Sequence, residues 1–373
     1  MAFMLGIFFY TAAKTMNILC GWPIYTSILI TALVVGAYTL FGGLAAVVYT
    51  DVIQFFVLFA GSMVILLIAM AKVGGWHELT ETVHSLGAGY EHHFDLVVPV
   101  DSKTPYGWGG ILFGLVVVLS PAYCIGNQAI VQRALGARTE HEAKKSMLWG
   151  AFLKLFIPVL LVGPGLAGIV LHPGLNNGDD IYPTLIHDLL PPGLTGLVFA
   201  AFLAALMSSV DSYLNSGATL WTKDIYQQYI RPGRDEAHYM VVGKVFTACL
   251  VAVGIILAPL TVRFPSIFGY MQTLLSIFQG PFLAILALGL LWPRATGAGA
   301  LAGLGLGVAT SSILFWIKDS VFTCPEPFLY IAWWSFLAGL VVTVGVSLFT
   351  RPEPRERIEG LVFTKMGKTG RSS

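Results

Sequence analysis

The stretch Ala200-Ala-Phe-Leu-Ala-Ala-Leu-Met-Ser-Ser-Val-Asp-Ser-Tyr-Leu-Asn-Ser216 decides the fold class of this chain. It begins as an apolar helix suited to a bilayer and then turns polar. At helical spacing, four polar side chains share one stripe: Ser208, Asp211, Ser212 and Asn215. An ionisable group in such a helix is costly unless it faces protein, water or an ion, which favours a polar pathway. Hydroxyl and carboxylate oxygens suit a hard monovalent cation.

The same stripe has a second interpretation as a helix-packing surface. Serine and asparagine also form hydrogen bonds between membrane helices without any ion. The residues of this stretch alone leave the two interpretations equal.

Composition places the whole chain in a membrane. Of its 373 residues, 56% are hydrophobic and 11% are charged, whereas about a quarter are charged in soluble domains. Several apolar runs approach 20 residues, which predicts an all-α protein that crosses the bilayer many times. The net charge of +1 is uninformative about nucleic acid, and because the sequence has no basic recognition element, no nucleic-acid partner is predicted. The four scattered cysteines indicate small buried side chains rather than a disulfide framework.

Ten membrane spans are predicted in a transmembrane core at residues 1–350, followed by a tail or linker at 351–373. The spans cover residues 2–20, 23–41, 51–72, 107–126, 148–171, 194–215, 240–261, 266–292, 297–317 and 328–350. With strict alternation, 14 Lys and Arg residues in the connections and tail fall on one side, and four in the connections or at a span end fall on the other. The positive-inside rule makes the richer side cytoplasmic, with both ends of the chain on that side.

Glycine and proline predict local departures inside the spans. Ser120-Pro-Ala-Tyr-Cys-Ile-Gly126 predicts a break at the end of the fourth span, and Gly280-Pro281 predicts another in the eighth. A glycine repeats every four residues in the ninth span, which predicts a face for close helix packing: Gly299, Gly303 and Gly307.

Four polar residues lie in or beside spans, and the sequence alone does not fix their roles. Lys154, roughly 10 Å into the fifth span at the helical rise, either extends to the interface or presents a donor to a cavity. Gln272 brings both a donor and an acceptor into the eighth span. Asp51 begins the third span, where the plain interpretation is an N-cap. Lys14 lies deep in the first span, whose edges the sequence does not fix.

Enzymatic motifs are missing from the sequence. It contains no HExxH, no nucleophile elbow and no paired histidine with a carboxylate in the spans, so an enzyme is not predicted. His92-His93 lacks the other spaced ligands of a transition-metal site.

Three stretches carry a resemblance to a known family. They are Tyr38 to Gln54, Asn127 to Leu135 followed by Ala151 to Pro158, and Ala204 to Ser216 followed by Thr222 to Tyr226. In these motifs the chain resembles the sodium/solute symporter family, and within it the sodium/sugar cotransporters. The resemblance implies a LeuT-type fold of two inverted five-helix repeats, with binding sites at discontinuous helices near the midplane.

The resemblance also implies two sodium sites. The first matches the carbonyl of Ala205 and the hydroxyls of Ser208 and Ser209. A second site, present in some relatives, matches Asp51, Asp211 and Ser212. A serine is more usual at position 211, so Asp211 either strengthens cation binding or couples a proton, and both alternatives stay open.

Solute contacts are implied by the same resemblance. Lys154 and Gln272 match sugar-binding positions, Tyr123 matches a gating tyrosine, and Ser120 aligns with an asparagine of the sugar site. Because Lys and Gln can hydrogen-bond sugar hydroxyls, a sugar or polyol is the expected solute. Another solute, such as sialic acid, an amino acid or a carboxylate, is the alternative.

The expected activity is sodium-coupled symport by alternating access, with Na⁺ as coupling ion and no organic cofactor. The expected partners are Na⁺, the solute and the lipid bilayer, in a cell membrane that is bacterial, since no N-x-S/T sequon occurs. The first span aligns with the third core helix of the family. We therefore expect a fragment that lacks the first core helices and does not transport alone. A non-transporting fragment or a sensor is the alternative.

Overall fold

The computed structural model describes residues 1–363 except 88, 103, 176, 265 and 325, and it leaves out the side chains of residues 38, 41–50 and 355. In this part of the chain the regular structure is helical, and the β pairing consists of one isolated bridge between Val98 and Gly107. The α-helices are α1 (Ala2–Cys20), α2 (Ile24–Val73), α3 (Trp76–Ser85), α4 (Ser120–Gly126), α5 (Gln128–Leu135), α6 (Glu140–Lys154), α7 (Ile157–Leu171), α8 (Ile181–Leu189), α9 (Pro192–Thr219), α10 (Glu236–Leu257), α11 (Ile267–Leu291), α12 (Gly297–Trp316), α13 (Lys318–Val321), α14 (Phe328–Phe349) and α15 (Arg355–Ile358).

Four shorter helical segments adjoin these helices. Gly110–Leu119 is a π-helix that leads into α4, and Leu220–Ile230 is a π-helix that extends α9. The 3₁₀ turns Gly178–Asp180 and Ala258–Arg263 precede α8 and follow α10.

Most of the ten predicted spans correspond to helices, but the second and third both lie on the single helix α2. Eight segments among the described residues are long and apolar enough to cross a membrane: Ala2–Cys20, Asp51–Val73, Glu140–Leu171, Pro192–Ile230, Glu236–Arg263, Ile267–Leu291, Gly297–Trp316 and Phe328–Phe349. The pair Gly110–Gly126 and Gln128–Leu135, bent by 51°, forms a ninth if it is counted as one span. The predicted span at 23–41 corresponds to the shorter apolar segment Ile24–Ala37 and extends beyond the residues whose side chains are described.

The N-cap interpretation of Asp51 is wrong. Asp51 lies inside α2, more than 20 residues after the helix begins at Ile24. The helix continues from Ile24 through Asp51 to Val73 without a new start at Asp51. The Asp51 carboxylate is therefore available for contacts with other helices.

Residues Met1–Phe94 and Gln132–Tyr270 form one compact unit. At its centre α1, α2 and α9 bury a common apolar cluster that includes Phe9, Val35 and Leu214. The side chain of Lys14 forms an ion pair in this unit, its Nζ lying 2.7 Å from Oδ1 of Asp180. The deep lysine of the first span thus has an acidic partner just before α8.

Residues Asp95–Val131 and Met271–Ser373 form the second unit. The predicted glycine face is confirmed there, because a Cβ built on Gly299 or Gly303 would collide with Ser347 or Thr343 of α14. Close approach of two helices without large side chains is the usual use of such a face in membranes.

The predicted break at Gly280-Pro281 is wrong, since α11 continues through Pro281 to Leu291. A Cβ on Gly280 would collide with Ser335 and with the carbonyl of Ala332, so Gly280 is required for the approach of α14. The proline removes a single backbone donor, a loss that a packed membrane bundle tolerates.

The predicted break after Gly126 is confirmed. Asn127 has extended dihedral angles (φ −82°, ψ 110°), and α5 starts anew beyond it. The side chain of Asn127 stabilises that start, its Oδ1 accepting a hydrogen bond from the backbone N–H of Ala129 at 3.0 Å. The break redirects the chain so that α5 carries Gln132 and Arg133 toward α9.

Candidate cation-binding site

The serine stripe of α9 is held by its own helix. Ser209 Oγ donates to the carbonyl of Ala205 at 3.3 Å, and Ser212 Oγ donates to the carbonyl of Ser208 at 2.8 Å. Ser216 Oγ donates in the same way to the carbonyl of Ser212 at 2.6 Å. Such bonds to a carbonyl four residues back satisfy the hydroxyl protons and leave the oxygen lone pairs free to accept.

Asp51 of α2 faces this stripe. Ser208 Oγ donates a hydrogen bond to Oδ1 of Asp51. The other carboxylate oxygen, Oδ2, lies 2.7 Å from Nη2 of Arg133. The same Nη2 donates to Ser212 Oγ, also at 2.7 Å. The structure thus brings together Asp51, Ser208 and Ser212, three residues that the sequence assigns to cation sites, and it adds Arg133 to them.

Asp211 has different partners from Asp51. It is 0% exposed, and its Oδ1 contacts Thr39 Oγ1 of α2, whose single proton is shared with the carbonyl of Val35 at 2.7 Å. Its Oδ2 is buried and has no hydrogen-bond partner among the described residues. A buried carboxylate with one neutral donor is costly while it is ionised, by several kcal/mol in proteins. A bound cation or a proton would remove that cost.

A cavity of about 480 Å³ lies beside Asp211 in the same unit. Thr39, which contacts Asp211, forms part of its wall, together with Asn215 of the predicted polar stripe and Thr222. Thr222 is 5% exposed, and its hydroxyl has no partner among the described residues. The charged residues of the wall are Lys223, Glu236 and Lys244.

The predicted solute residues are distributed over both units. Ser120 and Tyr123 lie three residues apart on α4, on one side of that helix. Gln272 lies on α11 in the same unit and is half-buried. Lys154 is the last residue of α6 in the first unit, and its side chain is exposed.

Arg133 was not predicted as part of the site. The sequence indicated only that it belongs to a positively charged connection on the cytoplasmic side. Its position in the motif from Asn127 to Leu135, directly after a break, was the available signal, because a charged residue beside a discontinuous membrane helix is often functional.

The fold places the chain in a class before any sequence comparison. A solved structure of a Na⁺-coupled sialic acid symporter in a substrate-bound outward-open state superposes with a TM-score of 0.76 at 22% identity, covering 94% of this chain and 73% of that one. The predicted class, an all-α multi-pass membrane protein with the LeuT-type fold, is confirmed.

Sequence comparison identifies the family. The profile of the sodium:solute symporter family matches residues 1–307, and the chain belongs to that family. It is 32% identical to sodium/glucose cotransporter 4 of Danio rerio, over 95% of the chain and 60% of the relative. It is also 32% identical to the sodium/glucose cotransporter of Vibrio parahaemolyticus (91% and 65%) and 33% identical to sodium/myo-inositol cotransporter 2 of Oryctolagus cuniculus (91% and 56%).

The chain spans about 60% of the length of these relatives. The resemblance that the sequence motifs carry is confirmed by the family match and by these relatives.

Proposed function

We propose that this chain provides the core of a carrier that couples the entry of Na⁺ to the uptake of a small polar solute. Family membership and the named relatives support sodium coupling. The observation that carries the proposal is the convergence of Asp51, Ser208 and Ser212 between two helices of an apolar bundle. A carboxylate in a membrane bundle is costly unless it faces a protein partner, water or an ion, and Asp51 faces the hydroxyl-rich side of α9.

The primary sodium site in this proposal consists of the Ala205 carbonyl and the hydroxyls of Ser208 and Ser209. All three are half-buried on α9, and the hydroxyl oxygens retain lone pairs for a cation. The second site draws on Asp51, Asp211 and Ser212. Sodium shifts the carrier toward the state that binds solute only to the extent that it binds that state more tightly.

The solute in this proposal is a sugar or a polyol. Three relatives that are 32–33% identical are named for glucose, mannose and myo-inositol, which share several hydroxyl groups. Lys154, Gln272, Tyr123 and Ser120 supply donors and acceptors for those groups.

In this proposal both ends of the chain lie in the cytoplasm, and the membrane is a bacterial inner membrane.

Sodium binding by the purified protein tests the proposal directly. We expect saturable binding of ²²Na⁺ that is weakened roughly tenfold by Ser208→Ala and by Ser209→Ala, since each removes one ligand of a charged group. The matched control is Ser312→Ala, because Ser312 is exposed on α12 and donates only to its own helix, at the carbonyl of Val308. If Ser208→Ala and Ser209→Ala bind sodium as tightly as the control Ser312→Ala, the assignment of the primary sodium site is wrong.

Uptake measures the second half of the proposal. A carrier containing this chain, reconstituted in vesicles, is expected to accumulate glucose or myo-inositol when a sodium gradient is imposed, and not with a potassium gradient. Gln272→Ala is expected to raise the solute concentration for half-maximal uptake about tenfold or more, because a polar site depends on each hydrogen bond to a hydroxyl. An unchanged value would count against the sugar assignment.

A further inference from the structure

Arg133 occupies the place where a cation is expected at the second sodium site. Its Nη2 lies 2.7 Å both from Oδ2 of Asp51 and from Oγ of Ser212. The guanidinium group therefore joins two of the three residues assigned to that site. The remaining carboxylate oxygen of Asp51 accepts from Ser208. In this arrangement the oxygens of Asp51 and Ser212 coordinate a side-chain cation.

A sodium ion and the guanidinium group exclude each other at these oxygens. Both carry a positive charge, and two like charges a few ångströms apart repel strongly in a protein environment. Both also need the lone pairs of Asp51 and Ser212, and the guanidinium group can only donate to them. Occupancy by Na⁺ thus requires Arg133 to leave.

The structure gives Arg133 a way to leave. Its side chain is 36% exposed, whereas that of Asp51 is 19% exposed, so the guanidinium group can move into solvent while the carboxylate stays covered. An ion pair with this much exposure is weak, because water and salt screen it. A cation at millimolar concentration can compete with it.

The backbone around Arg133 supports a movable element. Helix α5 has eight residues and follows the 51° bend at Asn127. Besides Arg133, Gln132 also links α5 to α9, its Nε2 lying 3.5 Å from the carbonyl of Ser212, at the outer limit of a hydrogen bond.

We propose that Arg133 is an internal competitor for Na⁺ at the Asp51–Ser212 site, so that the arrival of sodium releases α5 from α9. This inference rests on the proposed function and adds to it the group that holds the second site while no ion is bound. Arg133 acts as a specificity-determining residue, since a cation must bind more tightly than the guanidinium group to enter.

The proposal is tested by whether removal of the Arg133 charge strengthens or weakens sodium binding. Arg133→Gln in the purified chain is expected to lower the ²²Na⁺ concentration for half-maximal binding by roughly two- to fivefold, the range that an exposed ion pair of this kind can supply. Arg133→Lys, which keeps the charge, is expected to stay closer to the unsubstituted protein. Arg138→Gln is the matched control, because Arg138 is an exposed arginine of the same connection and reports the effect of net charge alone.

Two further measurements separate competition from a structural role. In Arg133→Ala, millimolar guanidinium chloride is expected to raise the sodium concentration for half-maximal binding, and tetramethylammonium chloride at the same ionic strength is expected to have no effect. In an Asp51→Asn background, Arg133→Gln is expected to give no gain, because the carboxylate for which the two cations compete is gone. A merely structural arginine would show neither behaviour.

The outcomes distinguish this inference from the proposed function. If the unsubstituted protein binds sodium and Arg133→Gln binds it with equal or lower affinity, Arg133 is no competitor and only this inference is overturned. If neither the protein nor any variant binds sodium, the proposed function is overturned together with it. A gain in Arg133→Gln that is absent in Arg138→Gln and reversed by guanidinium in Arg133→Ala establishes the competition.

Discussion

Helices α9 and α14 carry similar stripes of small polar residues, and their surroundings differ. On α14 the stripe has one residue every four positions: Ser335, Gly339, Thr343 and Ser347. Two of its hydroxyls donate to their own helix, Ser335 to the carbonyl of Ala332 at 3.0 Å and Thr343 to the carbonyl of Gly339 at 2.7 Å. Opposite this stripe lie the glycines of α12. These contacts are sufficient to explain why the side chains are small.

On α9 the same spacing faces charged side chains. Ser208 donates to Asp51, and Ser212 accepts from Arg133. Asp211, between them in sequence, is fully buried. A serine stripe by itself therefore does not separate an ion site from a packing surface. The groups on the facing helix make that distinction, and they lie far away in sequence.

The largest effect is expected where the α14 stripe meets α12. Gly303→Leu should destabilise the protein by about 3 kcal/mol, because the new side chain overlaps Thr343 and the backbone of Gly339. Gly305→Leu on the same helix meets nothing within 4 Å and should change stability by less than about 0.5 kcal/mol. Denaturant unfolding in detergent micelles measures the change in the free energy of unfolding for both variants. Equal effects would show that the glycine face is not the packing surface.

The next largest effect is expected at Asp51. Asp51→Asn should weaken sodium binding about tenfold or more, since it removes the charge that the cation would neutralise. Asp319→Asn, at an exposed carboxylate on α13, is the control for the loss of one negative charge. Isothermal titration calorimetry with NaCl gives the sodium affinities of both variants. Equal sodium affinities in the two variants would assign Asp51 to packing.

Removing the charge of Asp211 is expected to stabilise the protein. In sodium-free buffer Asp211→Asn is expected to raise stability by about 1 kcal/mol, because an amide of the same shape avoids the cost of a buried charge. Added NaCl should then stabilise this variant less than the unsubstituted protein, as linkage requires if the ion binds the carboxylate. Asp224→Asn, at an exposed position on the following π-helix, is the control. A loss of stability in Asp211→Asn would show that the carboxylate has a partner of its own.

The smallest effects compare one serine from each stripe. Ser212→Ala should weaken sodium binding by about threefold and leave stability almost unchanged. Ser347→Ala should leave sodium binding unchanged and lower stability by about 0.5–1 kcal/mol, because the backbone N–H of Thr296 loses its acceptor. Thermal unfolding and sodium titration of both variants give the four values. Weaker sodium binding in Ser347→Ala, or an equal loss of stability in both variants, would contradict the distinction between the two stripes.

The sequence was sufficient for features that depend on neighbours along the chain. The apolar segments, the glycine face of α12 and the break before α5 all follow from residues within one turn or two of each other. The same local reasoning was wrong at Pro281, where α11 is continuous and Gly280 instead allows the close approach of α14. It was also wrong at Asp51, which lies inside α2 rather than at the start of a helix.

Contacts between distant residues could not be predicted from one sequence. Arg133 and Asp51 are 82 positions apart, and Thr39 and Asp211 are 172 apart. Family resemblance supplied Asp51, Asp211 and Ser212 as candidates, but it gave no partner for any of them. Only the packing of α5 and α2 against α9 shows that Arg133 serves Asp51 while Asp211 contacts Thr39.

Thr39 has a consequence for how quickly the surroundings of the buried carboxylate can change. Its hydroxyl binds Asp211, and its side chain also forms part of the cavity wall. Threonine has few allowed χ1 rotamers, and in proteins a hop between them is much faster than a rearrangement of helices. Because one side chain contacts both, a change of the Thr39 rotamer alters the contact to Asp211 and the cavity wall together, at the speed of a side-chain motion rather than of a helix rearrangement.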